Sequence, residues 1–137
     1  MKIIVCGSMT AARKMVEIEK ELASLGHEVV LPRFSHEYAQ MSSEEEMHSE
    51  SVKNKVDHDL IRDYFEEIKG GDAVLIINDD RKGIKNYIGG NSFLEMAFAH
   101  VLNKKIFLLN PIPEMGYSDE LIAMRPDVLN GDLSLIK

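Results

Sequence analysis

The apolar run Ala73-Val74-Leu75-Ile76-Ile77 constrains the fold more than any other segment of the sequence. A strand that is apolar at every position must be covered on both of its faces, which is how the central strands of parallel sheets are buried. Gly70-Gly71 ends the helical pattern that precedes this run, and Asp72 begins the strand. We therefore predict a buried central strand over residues 72–77, within a parallel sheet.

Strands and helices alternate along the rest of the chain. Short apolar runs predict further strands, and apolar residues at helical spacing predict helices between them. The predicted strands cover residues 2–6, 29–31 and 105–109, and the predicted helices cover residues 11–25, 52–69, 92–102 and 118–124. This order predicts an α/β fold in one domain over residues 1–137. We expect an open, mostly parallel sheet of about five strands with helices on both faces, of the Rossmann or flavodoxin-like type.

A polar segment over residues 35–51 interrupts this alternation. We interpret it as a loop or short helix, and its functional interpretation is a lid over a site. Its acidic run, Glu44-Glu45-Glu46, is typical of a solvated face.

Composition argues against several classes of function. The formal charge of −7 comes without a cluster of Lys or Arg, which argues against binding to long nucleic acid. No apolar stretch approaches the ~18 residues of a membrane span, so we expect a cytoplasmic protein with no membrane partner. The single cysteine, Cys6, lies in an apolar run and is expected to be a buried structural thiol. The five histidines do not pair at metal-ligand spacing, which argues against a zinc site, and Gly7-Ser8 lacks the glycine spacing of a Walker loop or a dinucleotide fingerprint. We expect neither a metal nor a cofactor.

Ligands of parallel α/β sheets bind outside the carboxyl ends of the strands, where this chain has loops over residues 7–10, 78–91 and 110–117. The second loop leads into an apolar helix whose only carboxylate is Glu95. Two interpretations of Glu95 stay open. Ser92 and Glu95 have the spacing of a capping box. Alternatively, the preceding double glycine and the free N–H groups of the helix let a ligand approach closely, with Glu95 facing it. The place of the loop in the fold favours the ligand.

These segments resemble the nucleoside 2-deoxyribosyltransferase superfamily, which includes the 2′-deoxynucleoside 5′-monophosphate N-glycosidases. The resemblance covers most of the chain. It rests on Cys6-Gly7-Ser8 at the end of the first strand, Asp72-Ala73-Val74 at the start of the central strand, and Asn91-Ser92-Phe93-Leu94-Glu95 in the helix that leads to Asn103-Lys104-Lys105-Ile106.

The resemblance implies a mechanism. Glu95 takes the place of the family's nucleophile, which attacks C1′ of the deoxyribose and displaces the base; water then gives hydrolysis, and a second base gives transfer. The family's aspartate that protonates the leaving base falls at or beside Tyr64, and we assign this role to Asp63, with Tyr64 as the alternative. Asp59 lies one turn away on the same face, and the interpretation of Asp59 and Asp63 as ordinary surface acids stays open.

The resemblance also implies where a 5′-phosphate would bind. Ser8 matches a phosphate-binding serine of the family, and the helix start that follows it, together with Arg13, would hold the phosphate. The alternative for Ser8 is an ordinary helix cap. The expected substrate-binding residues are Gly7, Ser8, Met9, Thr10, Arg13, Asn78, Asp79, Gly89, Gly90, Asn91 and Ser92.

The sequence departs from the family's pattern at three places. The first strand carries Ile4 and Val5 where the family often has a substrate-contacting tyrosine. Gly89 stands where the transferases have an aspartate and the monophosphate hydrolases a serine. The serine or asparagine that a neighbouring subunit lends to the site would fall at residues 121–124, which contain neither, although Ser118 is close.

The sequence thus predicts an enzyme that cleaves the N-glycosidic bond of a deoxynucleoside or its 5′-monophosphate, by hydrolysis or transfer. The alternative is a nucleotide-binding or sensing module of the same fold that has no activity. The expected partners are a small nucleoside or nucleotide and further copies of the chain, as a homodimer or a dimer of dimers. The expected interface surrounds Ile112, Leu121 and Ile122. Met96 and Phe98 are assigned to the core, and Phe93 is a candidate wall of the base pocket, with the core as its alternative.

Overall fold

A five-stranded sheet organises the computed structural model, which describes residues 1–41, 43, 53 and 59–137. The strands are β1 (Lys2–Gly7), β2 (Glu28–Val30), β3 (Ala73–Ile77), β4 (Lys105–Leu108) and β5 (Asp127–Val128). The helices of the described residues are α1 (Ala12–Ser24), α2 (Ser35–Tyr38), α3 (Leu60–Gly70), α4 (Gly90–Val101) and α5 (Ser118–Ala123), with 3₁₀ turns over Met9–Ala11 and Leu133–Leu135.

The strand order is β2-β1-β3-β4-β5, and each pair of neighbouring strands is parallel. The order reverses between β1 and β3, which is where doubly wound sheets bind their ligands. These two strands pair in register from Ile3 with Ala73 to Gly7 with Ile77, so both end at the same edge of the sheet. The predicted fold class is therefore confirmed.

The central strand β3 is buried at all five of its positions, as its apolar sequence predicts. Its side chains alternate between two cores, one on each face of the sheet. Leu75 belongs to a cluster with Met15 of α1. Val74 belongs to the other cluster, with Ile68 of α3 and Met96 of α4. The sheet is therefore covered on both faces, as a strand without a polar position requires.

Several predicted boundaries are corrected. The helix predicted over residues 92–102 begins at Gly90. Within the helix predicted over residues 52–69, Asp59 has a left-handed φ of 46°, which an α-helix does not accommodate, so α3 begins at Leu60. The fifth strand was not located in the sequence because its two residues are too few to show a pattern.

Residues 42, 44–52 and 54–58 lie outside the described residues. The acidic run at residues 44–46, most of the predicted lid and the start of the helix predicted from residue 52 fall there. In the described part of the polar segment, α2 forms and its Tyr38 is buried against α1. None of the helices in the described ranges is long and apolar enough to span a membrane.

Gly71, at the junction of α3 and β3, leaves no room for a side chain. A Cβ there would lie 2.6 Å from Cγ1 and 2.9 Å from Cδ1 of Ile4, which is fully buried in β1. We expect Gly71→Ala to lower the free energy of unfolding by about 1–3 kcal/mol, because overpacking a core costs that much. The matched control is Gly70→Ala, whose Cβ would meet no atom closer than Lys2 Nζ at 4.0 Å. Urea unfolding measures both variants, and equal losses of stability would contradict the close packing.

Candidate active site

A cleft of about 710 Å³ opens at the carboxyl ends of β1 and β2, beside the reversal of the strand order. This volume is typical of sites for small molecules. The loop after β1, the end of β2, one side of α3 and the start of α4 form its walls. The predicted site residues that line it are Gly7, Ser8, Met9, Thr10, Asp63, Tyr64, Gly89, Gly90, Asn91, Ser92 and Glu95.

Glu95 lies in the second turn of α4 and exposes only 6% of its surface. The first hydrogen bond of the helix runs from Phe93 N to Gly89 O at 2.9 Å, so Gly89 is the residue that caps α4. The capping-box interpretation of Ser92 and Glu95 is therefore wrong, because Ser92 lies inside the first turn and is itself buried. The backbone, and not the side chain of Ser92, begins this helix, and Glu95 lines the cleft.

Tyr64 of α3 lines the cleft as well, and its hydroxyl donates a hydrogen bond to the Val5 carbonyl oxygen in β1. Burial, and then the charges on Cys6, Glu95 and Glu67, raise the pKa of Tyr64 well above its ordinary value of 10.0. Burial and the charge on Glu95 likewise raise the pKa of the Cys6 thiol well above 9.0. Both groups therefore keep their protons at neutral pH, and the carboxylate of Glu95 lies near enough to interact with both.

Acidic side chains of α3 form one wall of the cleft. Asp63 is exposed, and its carboxylate lies 3.8 Å from the guanidinium of Arg33. Glu66 and Glu67 line the same wall. The sequence did not indicate them, because exposed acids on a helix are usually solvated and only the tertiary packing shows which side faces a cleft. Asp59 does not line the cleft, and its carboxylate forms an ion pair of 2.7 Å with Arg62 of α3.

The loop after β1 forms the floor of the cleft. Ser8 caps the 3₁₀ turn, since its Oγ accepts hydrogen bonds from Thr10 N at 3.3 Å and Thr10 Oγ1 at 3.0 Å. Both interpretations of Ser8 are compatible with this geometry, because it caps the turn and also lines the cleft. A Cβ on Gly7 would lie 2.7 Å from Met15 Cε and 3.2 Å from Ile77 Cβ, so a larger residue here would have to displace the buried side chain of Met15.

Two residues predicted to bind substrate hold the fold together instead. Arg13 donates hydrogen bonds from Nε to Ala39 O at 2.9 Å and from Nη2 to Met41 O at 3.4 Å, and it does not line the cleft. Asn78 is fully buried; its Nδ2 donates to Asn110 O and its Oδ1 accepts from Asn110 N, both at 2.9 Å. The amide of Asn78 thus joins the chain segments that follow β3 and β4.

The third predicted loop, residues 110–117, does not reach the cleft, because β4 lies on the far side of β3 from the strand-order reversal. Its Tyr117 supports the start of α4, donating a hydrogen bond to Ile88 O and stacking on Phe93 with ring centroids 4.3 Å apart. Phe93 is therefore a core residue and not a wall of the pocket. Phe98, which we assigned to the core, lines the cleft. Its ring also packs edge-on against Phe65 of α3.

A smaller cavity of about 190 Å³ adjoins the cleft. Asp79 lines it and forms a salt bridge of 2.7 Å with Lys14. Arg81 lines both cavities, although nothing in the sequence distinguished it from the other cations of its loop. In the described part of the chain, no three His, Cys, Asp or Glu side chains lie close enough to share a metal ion; His48 and His58 are outside that part.

The surface predicted for dimerisation is partly core. Leu121 is fully buried and Ile112 packs against the same cluster, because one face of α5 covers the sheet. Ile122 is exposed over 57% of its surface. The predicted interface at Leu121 is therefore wrong, and the oligomeric state stays a prediction.

Comparison with solved structures finds the same fold in two enzymes. The 2-deoxyribosyltransferase of Bacillus psychrosaccharolyticus matches with a TM-score of 0.51 and 23% identity, over 84% of this chain and 76% of that one. The Clostridium botulinum CMP N-glycosidase BcmB matches with a TM-score of 0.51 and 17% identity, over 93% of this chain and 85% of that one. No family model matches the sequence, and no curated protein matches it significantly. The resemblance seen in the sequence is thus confirmed at the level of the fold.

The raised pKa of Tyr64 makes stability depend on pH. The unfolded chain releases this proton near pH 10 whereas the folded chain holds it to higher pH, so stability falls as the pH rises above about 10. Tyr64→Phe removes this dependence, although the decline due to Cys6 from about pH 9 remains. Chemical unfolding at several pH values should show a shallower alkaline decline in the variant than in the wild type. Parallel curves would mean that Tyr64 does not titrate as its burial implies.

Proposed function

We propose that this protein cleaves the N-glycosidic bond of 2′-deoxynucleosides or their 5′-monophosphates, with Glu95 as the nucleophile. The observation that carries the proposal is the burial of Glu95 in a nucleotide-sized cleft at the strand-order reversal. The fold shared with a 2-deoxyribosyltransferase and a CMP N-glycosidase supports chemistry of the same kind.

The proposed reaction proceeds through a covalent intermediate. A carboxylate oxygen of Glu95 forms a bond to C1′ while the bond from C1′ to the base nitrogen breaks, and the electron pair of that bond leaves with the base. Positive charge develops on the sugar in the transition state. A carboxylate in a buried site stabilises that charge more than one in water, because the local dielectric is low. Water or a second base then attacks C1′ and releases Glu95.

The leaving base needs a proton, and we assign its delivery to Asp63. Asp63 lines the cleft on α3, opposite the helix that carries Glu95. Tyr64 is the weaker candidate, because its proton is engaged by the Val5 carbonyl and its pKa is raised. We assign Tyr64 a positioning role, because its hydrogen bond to the Val5 carbonyl holds α3 against β1 beside Glu95.

Hydrolysis of a monophosphate is preferred over transfer in this proposal. Ser8 favours a monophosphate substrate because it lines the floor of the cleft, where it could bind a phosphate. Arg13 gives no such support, because it bonds to Ala39 and does not line the cleft.

A second candidate function is nucleotide binding or sensing without turnover. The exposure of Asp63 favours this alternative, since a proton donor works best when it is partly shielded from water.

Glu95→Gln should abolish base release. The amide is isosteric but is a poor nucleophile, so we expect turnover to fall by about 10³-fold or more. Chromatography measures the base released from a panel of deoxynucleosides and their 5′-monophosphates, with and without a second free base. Glu21→Gln, the same change on an exposed position of α1, is the matched control and should keep full activity. Base release that persists in the Glu95 variant would exclude Glu95 as the nucleophile, and silence across the panel in the wild type would favour the binding module.

Asp63→Asn should reduce turnover according to the leaving base. With ordinary bases we expect a loss of about 10²- to 10⁴-fold, the usual contribution of general acid catalysis. An N7-methylated purine deoxynucleoside already carries the positive charge that protonation would supply, so its cleavage should change by less than about 10-fold. Asp59→Asn is the control on a neighbouring acid that does not line the cleft. Equal losses on both substrates would assign the proton transfer elsewhere, with Tyr64 and Glu67 tested next.

A further inference from the structure

Arg81 occupies a rigid turn between β3 and α4. Its N–H donates to Ile84 O at 3.0 Å and its carbonyl accepts from Ile84 N at 2.9 Å, which closes a tight hairpin turn. The two central residues, Lys82 and Gly83, have positive φ values of 53° and 74°, as the favoured two-residue hairpin turns require. The backbone therefore fixes the direction in which the side chain of Arg81 leaves the turn.

The guanidinium of Arg81 has a buried nitrogen that the fold does not use. Its Nε is buried and has no hydrogen-bond partner in the described residues. A buried donor on a charged group costs stability when it is unpaired, and such groups in folded proteins usually have a partner. The terminal Nη groups of Arg81 also make no hydrogen bond or ion pair with the described residues. Because Arg81 lines both the cleft and the smaller cavity, a ligand at this junction can bind the guanidinium through these Nη groups.

The other groups at the junction are hydrogen-bond donors. Ser8 and Ser92 line both cavities together with Arg81. The Oγ of Ser8 already accepts two hydrogen bonds, which leaves its own O–H to donate. The N–H groups of Gly90 and Ser92 precede the first hydrogen bond of α4 and point out of its start.

The nearby carboxylates are already engaged. Asp79 forms its salt bridge with Lys14, and Asp80 Oδ1 accepts a hydrogen bond from Asn86 N at 2.8 Å. These contacts neutralise or orient both acids, whereas the guanidinium of Arg81 has no hydrogen bond or ion pair in the described residues. The junction therefore offers converging donors to an acceptor group with several oxygens.

We propose that Arg81 binds the 5′-phosphate of the substrate and makes the site selective for nucleotides over nucleosides. This inference rests on the proposed function for the identity of the ligand. A guanidinium recognises a phosphate through two parallel hydrogen bonds, and the two Nη groups of Arg81 can supply them. The phosphate would sit at the junction of the cavities and the deoxyribose in the larger cleft, toward Glu95.

Binding is measured in the Glu95→Gln protein, so that turnover does not consume the ligand. Calorimetry compares 2′-deoxynucleoside 5′-monophosphates with the corresponding nucleosides and with inorganic phosphate. We expect nucleotides to bind more tightly than nucleosides, and Arg81→Gln to weaken nucleotide binding by about 10- to 100-fold, as loss of a charged hydrogen bond implies. Nucleoside binding should change by less than about 2-fold, since the nucleoside lacks the phosphate.

Lys85→Gln is the matched control, because it removes the same charge from the same loop at an exposed position outside both cavities. Arg81→Lys keeps the charge but loses the fork, and it tests the assignment if the glutamine variant does not fold. It should recover part of the nucleotide affinity at most. A phosphate preference that survives in the Arg81 variants, or is absent from the parent protein, would overturn the inference. Arg81-dependent nucleotide binding in a protein that releases no base would uphold it while refuting the glycosidase.

Discussion

The parallel pairing of β1 with β3 is the constraint on which the candidate site depends. Five residue pairs keep the two strands in register and bring Gly7 and Ile77 to the same edge of the sheet. The chain leaves β1 toward α1, which covers one face, and leaves β3 toward α4, which covers the other. Because the two connections diverge, a crevice opens between them. Glu95 enters it from α4, and Ser8 forms its floor.

Periodicity predicted the elements of this fold, but not their neighbours in space. The apolar sequence of β3 was sufficient to predict a sheet covered on both faces, because no other arrangement buries such a strand. The apolar pattern of the sequence does not determine the order of the strands in the sheet. The loop at residues 110–117 was therefore expected at the site, although β4 lies beyond β3 and that loop supports α4 from behind. Glu67 and Arg81 were missed for the same reason, since only the packing of α3 and the hairpin turn directs them into the cavities.

The role of a polar residue at a strand end cannot be determined from the sequence, because the same side chains can stabilise the fold or bind a ligand. Asn78 follows a buried strand, as a ligand-binding residue would, yet its amide groups bond with Asn110 and hold two segments together. Arg13 is likewise used by backbone carbonyls of Ala39 and Met41. The hydrogen-bond partners decide between the two roles. Both Nδ2 donors of Asn78 are used by the fold, and the bonds of Arg13 hold its guanidinium outside the cleft, whereas the guanidinium of Arg81 lines the cleft and has no partner in the described residues.

The charges around the cleft are arranged unevenly, and this arrangement matches the proposed reaction. The wall on α3 carries Asp63, Glu66 and Glu67 and lies outside the smaller cavity, whose border carries Arg81 together with the engaged carboxylates of Asp79 and Asp80. Positive charge that develops on the sugar in the transition state is stabilised by Glu95 and by this acidic wall. A phosphate bound against the α3 wall would face its three carboxylates, and like charges at close range in a partly buried site are costly. The same charge distribution would therefore orient the substrate and stabilise its transition state, with C1′ facing Glu95 and the leaving base facing the acids of α3.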